Sequence, residues 1–187
     1  MLKLDRIETE FCQRYPDRIF TIDSHTQGEP TRLLIGGVDT LPGSTMKDKR
    51  DYFESHYDHV RMLLTREPRG HRGIMAAVVT EPVSPEGQFG LFYMDARRYP
   101  YLCGHGTIGA VATLIEVGVL RTEGDDTVIT VDSPSGNVGG RLAALAGRSR
   151  YHVGTGNPRQ DRFGRGRVRA SIRTSRCSTR GRRHSAG

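Results

Sequence analysis

The patterning of this 187-residue chain breaks off near Gly139, and that break limits what it can fold into more than any other feature. Residues 1–140 hold 15 Lys/Arg against 20 Asp/Glu, whereas residues 141–187 hold 13 arginines and one acid, Asp161. From Arg18 to Ser133 short β-rich runs alternate with apolar stripes of helical period. Beyond Gly147 the large apolar residues thin to Tyr151, Val153, Phe163, Val168 and Ile172, scattered among Arg, Ser and Gly, and neither period survives. Such a segment buries too little surface to offset its ordering entropy, so disorder is expected. An abrupt change to Arg/Ser/Gly-rich text is also what a shifted reading frame in GC-rich DNA produces. The expected organisation is an N-terminal extension at 1–18, a folded lobe at 19–140, and an irregular, disordered or frame-shifted tail at 141–187.

Within the lobe, five runs read as strands: Ile19 to Asp23, Arg32 to Gly36, Ile74 to Thr80, Phe89 to Met94 and Thr127 to Val131. Between the second and third, Phe53, Tyr57, Val60 and Leu64 recur at helical spacing inside Lys47 to Arg66, with Thr45 placed to cap the start ahead of Asp48. A second helix is predicted from Thr107 to Val117, where Ile108, Val111, Ala112 and Ile115 form one face and Gly118 supplies the stop.

Composition excludes some functions. The content, 35% apolar and 26% charged, is that of a soluble globular chain, and no apolar run is long enough to span a bilayer. The first twenty residues mix acids and bases and lack the apolar centre of a signal peptide, so a cytoplasmic location is expected. Cys12, Cys103 and Cys177 are odd in number and widely spaced, which is neither a disulfide framework nor a zinc pattern. Each reads as a free thiol.

One of the three sits in a chemically suggestive place. Cys103 falls in a glycine-flanked turn that leads from the Phe89 to Met94 strand into the second helix. Unpaired N–H groups and the positive end of the helix dipole favour a thiolate there, and equally a bound carboxylate. Gly104 and Gly106 let the backbone approach a ligand, and His105 can donate or accept a hydrogen bond beside it. The plainer alternative, a buried structural cysteine before a helix, is outweighed by the Gly-His-Gly context.

Leu102-Cys-Gly-His-Gly-Thr-Ile-Gly109 resembles the first catalytic-cysteine motif of the proline racemase family, which includes 4-hydroxyproline epimerases and trans-3-hydroxyproline dehydratases. Further blocks resemble the same family in the same order: Thr21-Ile-Asp-Ser-His-Thr-Gln-Gly-Glu-Pro30, Lys49-Arg-Asp-Tyr, Arg66-Glu-Pro-Arg-Gly-His71, Phe92-Tyr-Met-Asp95 and Ser133-Pro-Ser-Gly136. The resemblance implies an α+β fold, the first lobe of a two-lobed architecture like that of diaminopimelate epimerase, with strands wrapped around a central helix. It implies a two-base reaction in which one cysteine thiolate removes the α-proton of proline or hydroxyproline and a second thiol returns a proton on the opposite face, a coupled pair that uses no cofactor and no metal. Carried over by position, Cys103 is the first acid/base group, and Gly104 and His105 contact the substrate. His71 and Arg69 are expected to brace the site.

The departures also matter. Arg97-Arg98 stands where the family often has small residues, and Leu102 where it usually has methionine. The family's second motif, an Asp-x-x-Pro-Cys/Thr-Gly-Thr-Gly type of loop, appears nowhere after Gly139, and Cys177 lacks its neighbours. Racemase, epimerase and dehydratase therefore remain open, and the 187 residues are expected to act as a truncated, impaired relative. The small-molecule substrate is the expected partner, with a homodimer left open. A nucleic-acid reading rests on the arginine-rich tail only, without interleaved aromatics, and is set aside. His56 and His59, with Asp58 between and His71 downstream, suggest a metal cluster, but a polar helix face accounts for the first two.

Overall fold

The computed structural model describes residues 6–122, 126–145, 148–154, 166–167 and 173–176. The chain begins with α1 (Ile7–Arg14), followed by a hairpin of β1 (Phe20–Thr26) and β2 (Glu29–Gly36). Helix α2 (Met46–Thr65) then leads into β3 (Met75–Thr80) and β4 (Phe89–Met94), and α3 (Gly104–Glu116) into β5 (Asp126–Ser133). After β5 come β6 (Gly136–Leu145), β7 (Arg148–Gly154) and the short β8 (Gly166–Arg167) and β9 (Arg173–Arg176). The described strands form one sheet in the order β8-β7-β6-β5-β4-β3-β2-β1-β9.

Among the described residues, only β2 with β3 and β4 with β5 pair in parallel. These are the two connections that contain a helix, as a parallel crossover requires. Helix α2 packs on β3, β4 and β5, whereas α3 touches β1, β2, β3, β6 and β7. Because α3 meets strands from both halves of the sheet order, the sheet wraps around it. The expected α+β arrangement, strands about a central helix, is the one observed.

Strand alternation divides the interior into two cores. Leu33, Ala77, Leu91 and Tyr93 pack with Ala110, Val111 and Leu114 of α3. Their neighbours Leu34, Ala76, Val78, Phe92 and Met94 turn the other way and meet Phe53, Tyr57, Val60 and Leu64 of α2. All six residues of β4 are buried, since it is sandwiched between the two helices. Phe53 sits at the centre of the outer core, edge-on to Phe92 with ring centroids 5.4 Å apart.

Helix α2 starts as its sequence predicts. The Asp48 amide donates to Thr45 Oγ1 at 3.1 Å and the Thr45 amide to Asp48 Oδ2 at 2.9 Å, a reciprocal cap. Helix α3, by contrast, starts at Gly104, three residues before the predicted Thr107. Glycine's low helix propensity hid that first turn. Helix α1 was not expected within the N-terminal extension, and β6 was not expected at all. Strands β6 to β9 lie partly or wholly in 141–187, where the side-chain sequence carries no period. Backbone ladders define them: β6 pairs with β5 from Gly136 to Ala143 and with β7 from Gly139 to Leu145. The rest of the expected disordered tail lies outside the described residues.

Candidate functional site

Cys103 is the N-cap of α3, with extended backbone (φ −144°, ψ 107°), and is 9% exposed. Thr107 secures the turn, both its amide and its hydroxyl donating to the Cys103 carbonyl at 2.9 Å. The Thr107 hydroxyl also meets the buried Tyr93 hydroxyl at 2.5 Å, which ties the first turn of α3 to β4 beneath it. Cβ placement explains two of the three glycines here. At Gly106 an added Cβ would lie 3.2 Å from Cys103 Sγ and 3.4 Å from the Tyr93 ring, so a side chain there would crowd the sulfur. At Gly104 nothing lies within 4 Å, and that side of the turn is open. At Gly109 a Cβ would come within 2.8 Å of Thr31 Oγ1, so glycine lets α3 seat on the β1–β2 hairpin.

His105 lies with Nδ1 3.4 Å and Nε2 3.8 Å from Cys103 Sγ. Burial pushes the Cys103 thiol up from its ordinary value; the Gly106 amide opposes that, the Asp95 and Glu29 carboxylates add to it, and the His105 amide pulls it down again. Burial likewise pushes the His105 imidazole down, against a smaller upward pull from Glu29. The expectation of a stabilised thiolate at the helix N-terminus is therefore met only in part. The amides are in place, but loss of water outweighs them, and the resting pair is a thiol beside a neutral imidazole.

Residues remote in sequence hold this turn. Thr26, at the tip of the β1–β2 hairpin, donates its hydroxyl to the His105 carbonyl at 3.0 Å. Ser135 donates to the Tyr101 carbonyl at 3.0 Å, and the buried Arg50 guanidinium lies over the Tyr101 ring, 4.2 Å from its centroid. The loop between β4 and α3 is pinned further back. Arg61 makes a bidentate pair with Asp58 at 2.6 and 2.9 Å and donates to the Asp95 carbonyl at 3.1 Å, while the Tyr99 hydroxyl donates to Asp58 at 2.8 Å. Arg61's hydrogen bonds, then Tyr99's, hold the Asp58 carboxyl below the usual range despite partial burial.

Of the residues expected at the site, Cys103, Gly104 and His105 are brought together. Arg69 contributes its carbonyl, which accepts from Arg32 at 2.6 Å, and His71 Nδ1 accepts from the Gly73 amide within its own turn at 3.1 Å. Those contacts brace the α2–β3 connection and not the Cys103 turn itself. His56 stacks on Tyr52 at 4.0 Å, and among the described residues no cluster of three or more His, Cys, Asp or Glu could hold a metal. Sequence reading missed Thr26, Arg50, Tyr101, Ser135 and Asp58. Thr26, Arg50 and Ser135 stood inside the matched blocks, but nothing in the local pattern showed that they converge.

A family model described as proline racemase matches residues 21–153. The chain is 36% identical over 137 residues to a proline racemase of Clostridioides difficile, covering 73% of this chain and 41% of that protein. It is 43% identical over 122 residues to a 4-hydroxyproline 2-epimerase of Streptosporangium roseum, covering 65% and 37%. It is 39% identical over 118 residues to a trans-3-hydroxy-L-proline dehydratase of Bacillus thuringiensis subsp. konkukian, covering 63% and 35%. Among solved structures, a hydroxyproline epimerase from Agrobacterium vitis with bound trans-4-hydroxy-L-proline superposes with a TM-score of 0.65 at 20% identity, over 73% of this chain and 41% of that one. The chain thus spans about two fifths of the length of the curated relatives it matches. No helix among the described residues is long and apolar enough to cross a membrane.

Proposed function

The chain belongs to the proline racemase family, and from that premise we propose that Cys103 is a cofactor-independent acid/base group for the α-proton of proline or a hydroxyproline. One observation carries the reading: the sulfur is buried at the N-cap of α3, flanked by the amides of His105 and Gly106 and 3.4 Å from a neutral imidazole. A thiolate formed there takes the α-proton to give the thiol and a carbanion whose charge spreads into the substrate carboxylate. Gly104 leaves room for the substrate on the open side of the turn, and His105 orients it. The helix N-terminus offers amide donors to that carboxylate, in surroundings where each donor counts for more than in water.

Inversion or elimination needs a second group on the opposite face, and the 187 residues contain no second motif of the family's type. The polypeptide of these residues alone is therefore proposed to exchange an α-proton but neither to racemise proline nor to dehydrate 3-hydroxyproline at a relative's rate. Residues 141–187 carry no apolar pattern by which a second copy would supply the missing face. A cytoplasmic location is part of the same proposal, as expected for an enzyme of amino-acid metabolism. Protection of Cys103 tests the reading: pyrrole-2-carboxylate, a planar proline analogue, should slow its alkylation, and unchanged labelling at saturating analogue would count against it.

A further inference from the structure

An open cavity of strongly basic character lies at the loop that follows β4. It has a volume of about 350 Å³ and is lined by Arg72, Asp95, Ala96, Arg97 and Arg98. Three arginines and one aspartate are among its lining residues, and that carboxylate is already committed. Asp95 Oδ1 accepts the amides of Arg97 and Arg98 at 2.7 and 2.9 Å, and its other oxygen is 3.8 Å from Arg98 Nε. Arg72 and Arg97 make no side-chain hydrogen bond or ion pair among the described residues, and both are exposed.

The walls are built before any ligand arrives. The Asp95 amide donates to the Arg98 carbonyl at 2.9 Å, closing the turn that carries both arginines. Helix α2 and its C-cap hold that turn, Arg61 donating to the Asp95 carbonyl at 3.1 Å and the C-cap Arg66 to the Ala96 carbonyl at 3.2 Å. On the other wall, the Ile74 amide donates to the His71 carbonyl at 2.9 Å and fixes the turn bearing Arg72. Guanidinium groups gathered on two fixed turns repel one another, and an oxyanion bearing two charges relieves that repulsion by pairing with their planar forks.

We infer that this cavity is a binding site for a small multivalent oxyanion, of the phosphate or dicarboxylate class, held by Arg72, Arg97 and Arg98. The lining does not include the Cys103 turn, and the inference does not rest on the proposed role of Cys103. Calorimetric titration of the full 187-residue chain at low ionic strength with inorganic phosphate, and separately with succinate, tests it. Saturable binding of one anion per chain is expected, weakened about tenfold or more in Arg72→Ala and in Arg97→Ala and unchanged in Arg121→Ala, an exposed arginine outside the cavity. Preference for phosphate or for succinate then assigns the class of occupant. Should Arg97→Ala lose its far-UV circular dichroism, Arg72→Ala decides alone, because the Arg72 side chain makes no hydrogen bond or ion pair among the described residues. Binding that survives the Arg72→Ala/Arg97→Ala double variant would belong to the arginine-rich tail and would overturn the inference. Absence of saturable binding at millimolar anion would overturn it as well.

Discussion

Cys103 Sγ lies 3.4 Å from His105 Nδ1, and burial drives the two groups toward the same neutral state from opposite directions. The thiol is pushed up and the imidazole down, so near pH 7 neither is charged, and the hydrogen bond between them takes its direction from the imidazole tautomer. Alkylation follows the thiolate, whose fraction grows as pH rises through the raised folded value. Cys103 should therefore react with iodoacetamide more slowly at neutral pH than an unstructured cysteine peptide, and its rate should still be rising where the peptide's has levelled off. Peptide mapping after timed labelling measures this. A rate that levels off at or below the peptide's pH would show that the helix amides outweigh burial. The linked stability effect has the same sign: it is present below the unfolded thiol value and lost as pH rises through the folded one.

Gly109 and Thr31 make a second, purely structural test. Gly109→Ala places a Cβ 2.8 Å from Thr31 Oγ1 and 3.0 Å from Thr31 Cβ, and should destabilise by about 1–3 kcal/mol in urea unfolding. Thr31 Oγ1 is itself buried without a hydrogen-bond partner, as is Ser24 Oγ across the hairpin. Thr31→Val should consequently be neutral or stabilising, since it removes a hydroxyl that burial penalises. A clear loss of stability in Thr31→Val would mean that the hydroxyl has a partner, such as an ordered water.

Asp58 links α2 to the loop that leads to the Cys103 turn. Its carboxyl is held low, chiefly by hydrogen bonds from Arg61, so its contribution is present above the unfolded carboxylate value of about 3.9 and lost as pH falls through the lower folded value. Asp58→Asn should lower Tm near neutral pH, and the gap to the unsubstituted chain should close as pH falls through that window. A gap of constant size down to the acid transition would assign the effect to packing instead.

The features legible in the sequence were those written in neighbouring residues. Thr45 and Asp48 are three apart, and Phe89 to Met94 is one continuous run, so cap and strand could be read directly. Cys103, Gly104 and His105 are contiguous, so the turn that carries them was visible for the same reason. Thr26 reaches the His105 carbonyl across 79 residues, and Ser135 reaches Tyr101 across 34. No local period encodes such a contact. Strand β7 was hidden differently: its ladder with β6 is made by backbone groups, which any sequence carries. The direction of the Cys103 shift was misjudged because helix position is visible in a sequence and burial is not.

Tyr101 shows how the remote residues serve the near ones. Its ring lies under Arg50 and its carbonyl accepts from Ser135, two residues before the sulfur. Arg50→Met, which keeps the aliphatic bulk and loses the stacked charge, should speed Cys103 labelling severalfold while the far-UV circular dichroism stays unchanged. Unaltered labelling kinetics would remove Arg50 from the set of positioning residues.

The proposal that Cys103 moves an α-proton on one face is tested most directly by isotope exchange. L-Proline is incubated in D2O with the 187-residue polypeptide, its α-proton signal followed by NMR and its optical rotation by polarimetry, with Cys103→Ser as the blank. The account predicts loss of the α-proton signal above that blank with the rotation retained, because proton removal and return occur on the same side. Exchange no faster than in Cys103→Ser, or rotation falling in step with exchange, would contradict it.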